Sequence, residues 1–191
     1  MLRQFCVVVA TLAAFPAAQA ADAPHRPESQ QEYWAQVDHK DWSAAIAAAE
    51  QLVAAARDQG PPLALSEALS LLGNAQFGAK DYTAAETAFT ESLQIVEQHA
   101  GAASVKLLDP LRGLGYTLAA SGRHKEAVPP LERALLIDRR SYGLYDIGQQ
   151  MVLRQLADSL VKDGRPEDAQ RHLGYLIQLS ERVYGRRDPR R

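Results

Sequence analysis

The chain has 191 residues, 47% of them hydrophobic, and a formal net charge of −2 at pH 7. That length and composition suffice for one domain with a substantial apolar core. The nearly balanced charge provides no broad basic surface of the kind that binds nucleic acid. With a single cysteine, Cys6, the chain cannot form an internal disulfide, so packing must stabilise the fold.

The N-terminus has the pattern of a secretory signal peptide. Arg3 supplies a positive charge, an apolar run follows over residues 5–15, and "AQA" at 18–20 is a small-x-small cleavage motif. The apolar run is shorter than the about 20 residues that a membrane-spanning helix needs. We therefore expect a signal peptide over residues 1–20, cleavage near Ala20, and a periplasmic or secreted protein without an integral membrane segment. The alternative is that the run forms a buried first helix.

Four segments of the chain, which begin at positions 41, 81, 123 and 165, align with one another at a nearly constant interval. One column of this alignment is alanine throughout, and the column four positions later is apolar. The two columns are Ala45, Ala85, Ala127 and Ala169, and Ala49, Phe89, Leu131 and Leu173. A second segment with helical apolar spacing precedes the last three of them, and "AKDY", "SGRH" and "DGRP" form tight turns in between. The pattern predicts helix pairs.

The repeated motif resembles the tetratricopeptide repeat family. Leu72-Gly73 shows the Leu-Gly of the first helix, and Asp81-Tyr82 shows the acidic-aromatic turn before the second helix. The usual period is about 34 residues, whereas the period here is roughly 42 residues. The longer period is similar to the variant found in kinesin light chains and many bacterial proteins. The resemblance covers roughly residues 63–184.

The resemblance implies an all-α fold, a right-handed solenoid of about four antiparallel helix pairs that bury a continuous apolar seam. A degenerate first unit precedes three better ones. We place the repeat domain at 28–184, with units at about 28–57, 63–100, 104–142 and 146–184, a flexible lead at 21–30 and a basic tail at 185–191. An unrelated helical bundle is the alternative.

Pro129 and Pro130 lie side by side in the second helix of the third unit. A proline in a helix interior costs about 3 kcal/mol, because it removes a donor and clashes with the preceding turn. In the first turns this cost is small, since the earliest amides have no intrahelical partner. We expect an unbroken helix with a slight bend at its start.

The sequence contains no recognisable catalytic or metal-binding motif. Neither H-x-x-x-H nor H-E-x-x-H occurs, and there is no G-x-S-x-G and no glycine-rich phosphate loop. Acidic residues such as Glu126 and Asp168 lie at predicted helix starts, where a carboxylate complements the helix dipole. We therefore expect no enzyme, no metal and no cofactor. The alternative is an enzyme whose active site has no sequence motif.

The resemblance also implies that the first helices line a concave groove for an extended peptide or a partner helix. By position, the groove would contain Asn74, Arg112, Tyr116, Arg154 and Asp158. Asn74 matches a position that contacts the peptide backbone in members that grip a C-terminal carboxylate. The rest of that clamp is not matched, because Gly113 and Met151 occupy the positions of the expected Asn and Lys.

Arg112 and Arg154 occupy equivalent positions and are predicted to form a two-step guanidinium ladder beside Tyr116. A guanidinium presents a planar fork that suits carboxylates. The groove is therefore predicted to bind an acidic or carboxylate-bearing segment. The alternative is that both arginines are solvated and pair with Asp109 or Asp158.

The last predicted helix carries apolar residues that no later helix would cover. A C-terminal docking surface would contain Leu176, Ile177, Val183 and Tyr184. Because solenoid ends normally carry a polar cap, this end suggests a partner or a homodimer. The leading interpretation is an exported scaffold that binds a protein or peptide partner through its groove. The alternative is a helical accessory subunit of a cell-envelope enzyme or of a transport or assembly complex.

Overall fold

Eight α-helices follow one another in the computed structural model, which describes residues 27–185 and contains no β-strand in that range. They are α1 (Gln31–Asp38), α2 (Trp42–Gln59), α3 (Pro62–Gly78), α4 (Tyr82–Ala100), α5 (Leu108–Ala120), α6 (His124–Tyr142), α7 (Gln149–Lys162) and α8 (Pro166–Tyr184). Short 3-10 turns precede α1 and α5. The predicted signal peptide and the basic tail beyond Gly185 lie outside the described residues.

The helices pack as consecutive antiparallel pairs, each helix against the next one along the chain. In addition, α5 contacts α3 on one side and α7 on the other. The first helices of neighbouring pairs therefore adjoin and line one face of the stack. The predicted all-α solenoid of helix pairs is confirmed.

The turns inside the four pairs share one backbone feature, a residue with positive φ shortly after the first helix. These residues are Lys40 (φ 59°), Lys80 (φ 65°), Gly122 (φ 84°) and Gly164 (φ 79°). In the second pair the next residue, Asp81, caps α4, because its Oδ1 accepts a hydrogen bond from the amide of Ala84 at 3.1 Å. A left-handed residue followed by a cap reverses the chain within a few residues.

The core follows the repeat columns. All four alanines of the first column, Ala45, Ala85, Ala127 and Ala169, are buried. In the second column Phe89 and Leu131 are buried, whereas Leu173 is 41% exposed because no described helix packs beyond α8. Glycines face these large residues. A Cβ on Gly73 would lie 2.8 Å from the Phe89 ring, and one on Gly115 would lie 2.5 Å from Leu131.

The adjacent prolines do not interrupt the third pair. α6 runs unbroken from His124 to Tyr142 with Pro129 and Pro130 inside it. Both lie in the first two turns of a 19-residue helix, so most of its hydrogen-bond ladder is unaffected. The predicted continuity of this helix is confirmed.

Tyr33 on α1 adds a contact between the first pair and the second. Its ring is buried and makes an edge-on contact with Trp34, with 5.0 Å between the ring centroids. Its hydroxyl donates a hydrogen bond to the carbonyl oxygen of Leu71 on α3 at 3.0 Å. Burial raises the pKa of Tyr33 to about 12. The neutral phenol is therefore part of the packed structure.

Candidate functional site

A groove of about 710 Å³ runs across the first helices α3, α5 and α7. It contains Phe77 from α3, Tyr116 from α5, and Met151, Arg154, Asp158 and Lys162 from α7. Three of the five residues predicted for a binding groove, Tyr116, Arg154 and Asp158, thus lie together. The groove has the size of a cleft for a small ligand or a few residues of an extended chain.

The charge of this groove comes mainly from Arg154. The Asp158 carboxylate accepts a hydrogen bond from Lys162 Nζ at 2.8 Å, so these two charges offset each other. Arg154 is exposed and has no hydrogen-bond or ion-pair partner among residues 27–185. Its guanidinium can therefore form a bidentate contact with a carboxylate.

The rest of the groove is largely apolar. Met151 is 71% exposed, and Phe77 and Tyr116 contribute aromatic surface. Burial raises the pKa of Tyr116, and the nearby Arg112 charge lowers it to a smaller extent. Tyr116 accordingly presents a neutral phenol, which can donate or accept a hydrogen bond. The groove combines apolar side chains, a phenol, the Asp158–Lys162 ion pair and one cation without a partner among the described residues.

Arg112 lies outside this groove. Its guanidinium on α5 forms an ion pair with Asp138 on α6, and the two side chains are 25% and 2% exposed. The partner is therefore neither Asp109 nor Asp158, the two carboxylates considered from the sequence. Arg112 and Arg154 line different cavities, so they do not form the predicted ladder within one groove.

Asn74 lines a neighbouring groove of about 510 Å³ at the N-terminal side of the stack. Trp34 and Ser70, which align in the repeat with Asn74 and Arg112, lie beside it. This groove also contains an ion pair, Lys106 Nζ to Glu67 Oε1 at 3.0 Å. The predicted groove residues are thus distributed over three adjacent depressions.

The predicted C-terminal docking surface is partly described. Ile177 is 61% exposed, and Leu173, which lies one helical turn before it, is also exposed. Leu176 is half-buried and packs against the core of the last two pairs. The side chains of Val183 and Tyr184 are outside the described part of the structure.

Sequence reasoning missed two kinds of residue. Phe77 and Lys162 line the groove across α3, α5 and α7 but belong to no predicted groove column. Asp138 was also missed, although the sequence contained a signal for it. The equivalent position one repeat earlier holds the apolar residue Val96, whereas this position holds a carboxylate. A charged residue at an apolar position indicates a buried partner.

Two further properties concern residues 27–185 only. Their histidine, aspartate and glutamate side chains form no group of three or more that could hold a metal ion. Their helices include none with the length and apolar character needed to cross a bilayer.

The fold and the groove define an all-helical repeat solenoid. The chain belongs to the tetratricopeptide repeat family, which matches residues 64–140 and 106–179. Proteins of this family bind protein partners, and their fold is typically a non-catalytic scaffold. A comparison with curated protein sequences found no match.

Several solved structures share the fold. The nearly identical TPR-like repeats of a Podosopora anserina kinesin light chain align over 81% of this chain and 74% of theirs, with a TM-score of 0.72 and 15% identity. The TPR domain of Arabidopsis FLU aligns over 64% of this chain and 99% of its own, with a TM-score of 0.57 and 21% identity. BtubC from P. vanneervenii aligns over 83% of this chain and 81% of its own, with a TM-score of 0.55 and 13% identity. At these identities the likeness concerns the fold.

Proposed function

We propose that this protein is an exported, non-catalytic scaffold that binds an extended acidic segment of a partner protein in the groove across α3, α5 and α7. The observation that carries the proposal is Arg154, a cation without a partner among the described residues in a groove that also contains the apolar side chains of Phe77 and Met151. A helical accessory subunit of a cell-envelope complex would use the same groove, with activity supplied by the partner.

The chemistry of the groove defines the segment that fits it. An exposed ion pair contributes about 1 kcal/mol or less, so Arg154 alone gives selectivity but little affinity. Apolar burial supplies more, at about 25 cal/mol per Å². The ligand therefore needs an apolar side chain for Phe77 and Met151 and a carboxylate for Arg154.

Selection from a displayed library of random peptides tests this proposal. On the wild-type protein we expect enrichment of sequences in which Asp or Glu lies near an apolar residue. The Arg154→Ala variant should lose the acidic preference, whereas Arg140→Ala, an exposed arginine on α6, should keep it. An identical acidic preference in all three proteins would contradict the proposal.

Export rests on the N-terminal pattern of a charge, an apolar run and the "AQA" motif at 18–20. The test is expression with the native N-terminus in a Gram-negative host, followed by fractionation and mass spectrometry. We expect a periplasmic protein that begins at Ala21, and loss of processing when Ala18 and Ala20 are changed to Arg. A full-length protein in the cytoplasm would argue against export.

A homodimer through α8 is a second candidate, favoured by the exposed Leu173 and Ile177 at the end of the stack. Light scattering over a concentration series would detect it. Ile177→Asp should shift the protein to monomer, whereas Leu136→Asp, an exposed leucine on α6, should not. A wild-type protein that is monomeric at all concentrations would exclude this dimer.

A further inference from the structure

A further cavity, of about 270 Å³, lies at the junction of the third and fourth helix pairs. Three carboxylates, Asp109, Asp138 and Asp146, line it together with the guanidinium of Arg112. Its remaining walls include the aromatic ring of Tyr142 and two apolar side chains. Negative groups therefore outnumber positive ones by two. We call this cavity the junction cavity.

One of these carboxylates is buried and only partly satisfied. The Asp138 side chain is 2% exposed, and its Oδ2 accepts from Arg112. Its Oδ1 is buried and has no hydrogen-bond partner among the described residues. A buried carboxylate oxygen without a donor is costly, so this atom favours a ligand that brings one.

The preceding junction begins with the same backbone pattern and can be aligned with this one. Gly101 and Gly143 begin the two connections with φ of 86° and 88°. Near the end of each connection, a side-chain oxygen accepts a hydrogen bond from the backbone amide two residues further along the chain. Ser104 Oγ accepts from the amide of Lys106 at 3.3 Å, and Asp146 Oδ1 accepts from the amide of Gly148 at 2.8 Å. Lys106 therefore corresponds to Gly148.

The same register relates Glu67 to Asp109, one repeat later. In the preceding junction Lys106 Nζ donates to Glu67 Oε1 at 3.0 Å and offsets its charge. In the later junction Gly148 has no side chain, and Asp109 has no partner among residues 27–185. The repeat thus retains the carboxylate and loses the ammonium group that balances it.

We propose that the junction cavity binds an alkylammonium group, the side chain of a lysine on a partner protein. The ammonium group donates to Asp109 and to Asp138 Oδ1, and the alkyl chain lies against the apolar walls and the Tyr142 ring. An anion would face three carboxylates around one guanidinium and is disfavoured. This site is separate from the groove across α3, α5 and α7 and does not depend on the function proposed for that groove.

Titration of the ¹⁵N-labelled protein with n-butylammonium tests the site, with the amides of Gly143 and Gly148 as reporters. We expect saturable shifts of both amides with n-butylammonium and none with n-butanol, which has the same chain without the charge. Asp109→Asn should weaken binding about fivefold. The matched control is Glu67→Gln, which should leave binding unchanged because Lys106 already pairs with that carboxylate.

A double variant provides a second test of the proposed site. Asp146→Ser with Gly148→Lys copies the preceding junction and supplies an internal ammonium group. Gly148 has a helical φ of −58°, and the close neighbour of an added Cβ is the Asp146 carboxylate, 2.7 Å away, which the first substitution removes. We expect an unchanged unfolding midpoint and loss of saturable n-butylammonium binding. Equal shifts with n-butanol, or undiminished n-butylammonium binding by Asp109→Asn or by Asp146→Ser/Gly148→Lys, would overturn the proposal.

Discussion

The carboxylate of Asp138 on α6 is buried against the guanidinium of Arg112 on α5. One repeat earlier the equivalent positions hold Val96 and Ser70, neither of them charged. At these positions the second helix pair therefore has an apolar side chain and a small hydroxyl, whereas the third pair has an ion pair.

Removal of one partner should destabilise the third pair. Asp138→Ala leaves the partly buried Arg112 without its counter-charge, and we expect a loss of about 2–3 kcal/mol in the free energy of unfolding. The double variant Arg112→Ser/Asp138→Val copies the preceding pair and should lie within about 1 kcal/mol of wild type. Urea denaturation measures both. A single-variant loss below about 0.5 kcal/mol would mean that the pair behaves like a solvated surface pair.

Phe89 leaves no room for a side chain at Gly113. A Cβ there would lie 2.3 Å from the ring, and a Cβ on Gly73 would approach the same ring at 2.8 Å. Because the ring is buried and contacts both glycines, Gly113→Ala would force it to shift and should cost about 1–3 kcal/mol of stability.

Gly174 is the matched control for that substitution. It lies in α8 with nothing within 4 Å of an added Cβ. Gly174→Ala should stabilise the protein by about 0.5–1 kcal/mol, because alanine favours the helix. If both variants changed the urea midpoint equally, close contact with Phe89 would not be the cause.

The left-handed turn residues predict a stabilising substitution. Lys80 adopts φ 65°, at a position where the third pair has Gly122. A non-glycine residue in this conformation is strained, so Lys80→Gly should raise the unfolding free energy by about 0.5–1 kcal/mol. The reverse change, Gly122→Lys, should lower it by a similar amount, and steric contact does not add to the effect, since nothing lies within 4 Å of an added Cβ. Thermal unfolding of the two variants would show opposite shifts of the midpoint.

Tyr33 makes stability decrease at alkaline pH. Its folded pKa of about 12 lies above the unfolded value of 10.0, so the folded state holds the proton more tightly. The stabilisation that Tyr33 provides is complete below pH 10 and is lost as the pH rises towards 12. The free energy of unfolding falls by at most about 1.4 kcal/mol per pH unit. Denaturant titrations at pH 9 and pH 11 should show this loss in wild type and a smaller one in Tyr33→Phe. Equal losses would assign the pH dependence to other groups.

The helix pairs could be predicted because they depend on local signals. Ala85 and Phe89, one helical turn apart, recur in the next repeat as Ala127 and Leu131, and both columns are buried there. Register along the chain is sufficient for such a prediction.

The division of the predicted groove into separate cavities could not be predicted in the same way. Whether Arg112 points into the groove or pairs inside depends on Asp138, which lies on another helix. Repeat position places both arginines in one column, but the buried carboxylate acts on Arg112 alone. Phe77 reaches the groove because α3, α5 and α7 adjoin, which is a property of the assembled stack.

The most direct test of the account is a calorimetric titration of a groove-selected acidic peptide and of the same peptide with its carboxylate replaced by the amide. For wild type we predict that the amide peptide binds about fivefold more weakly, and for Arg154→Ala that the two peptides bind alike. Equal binding of both peptides to wild type, or an acidic preference that survives in Arg154→Ala, would contradict the claim that Arg154 selects the partner.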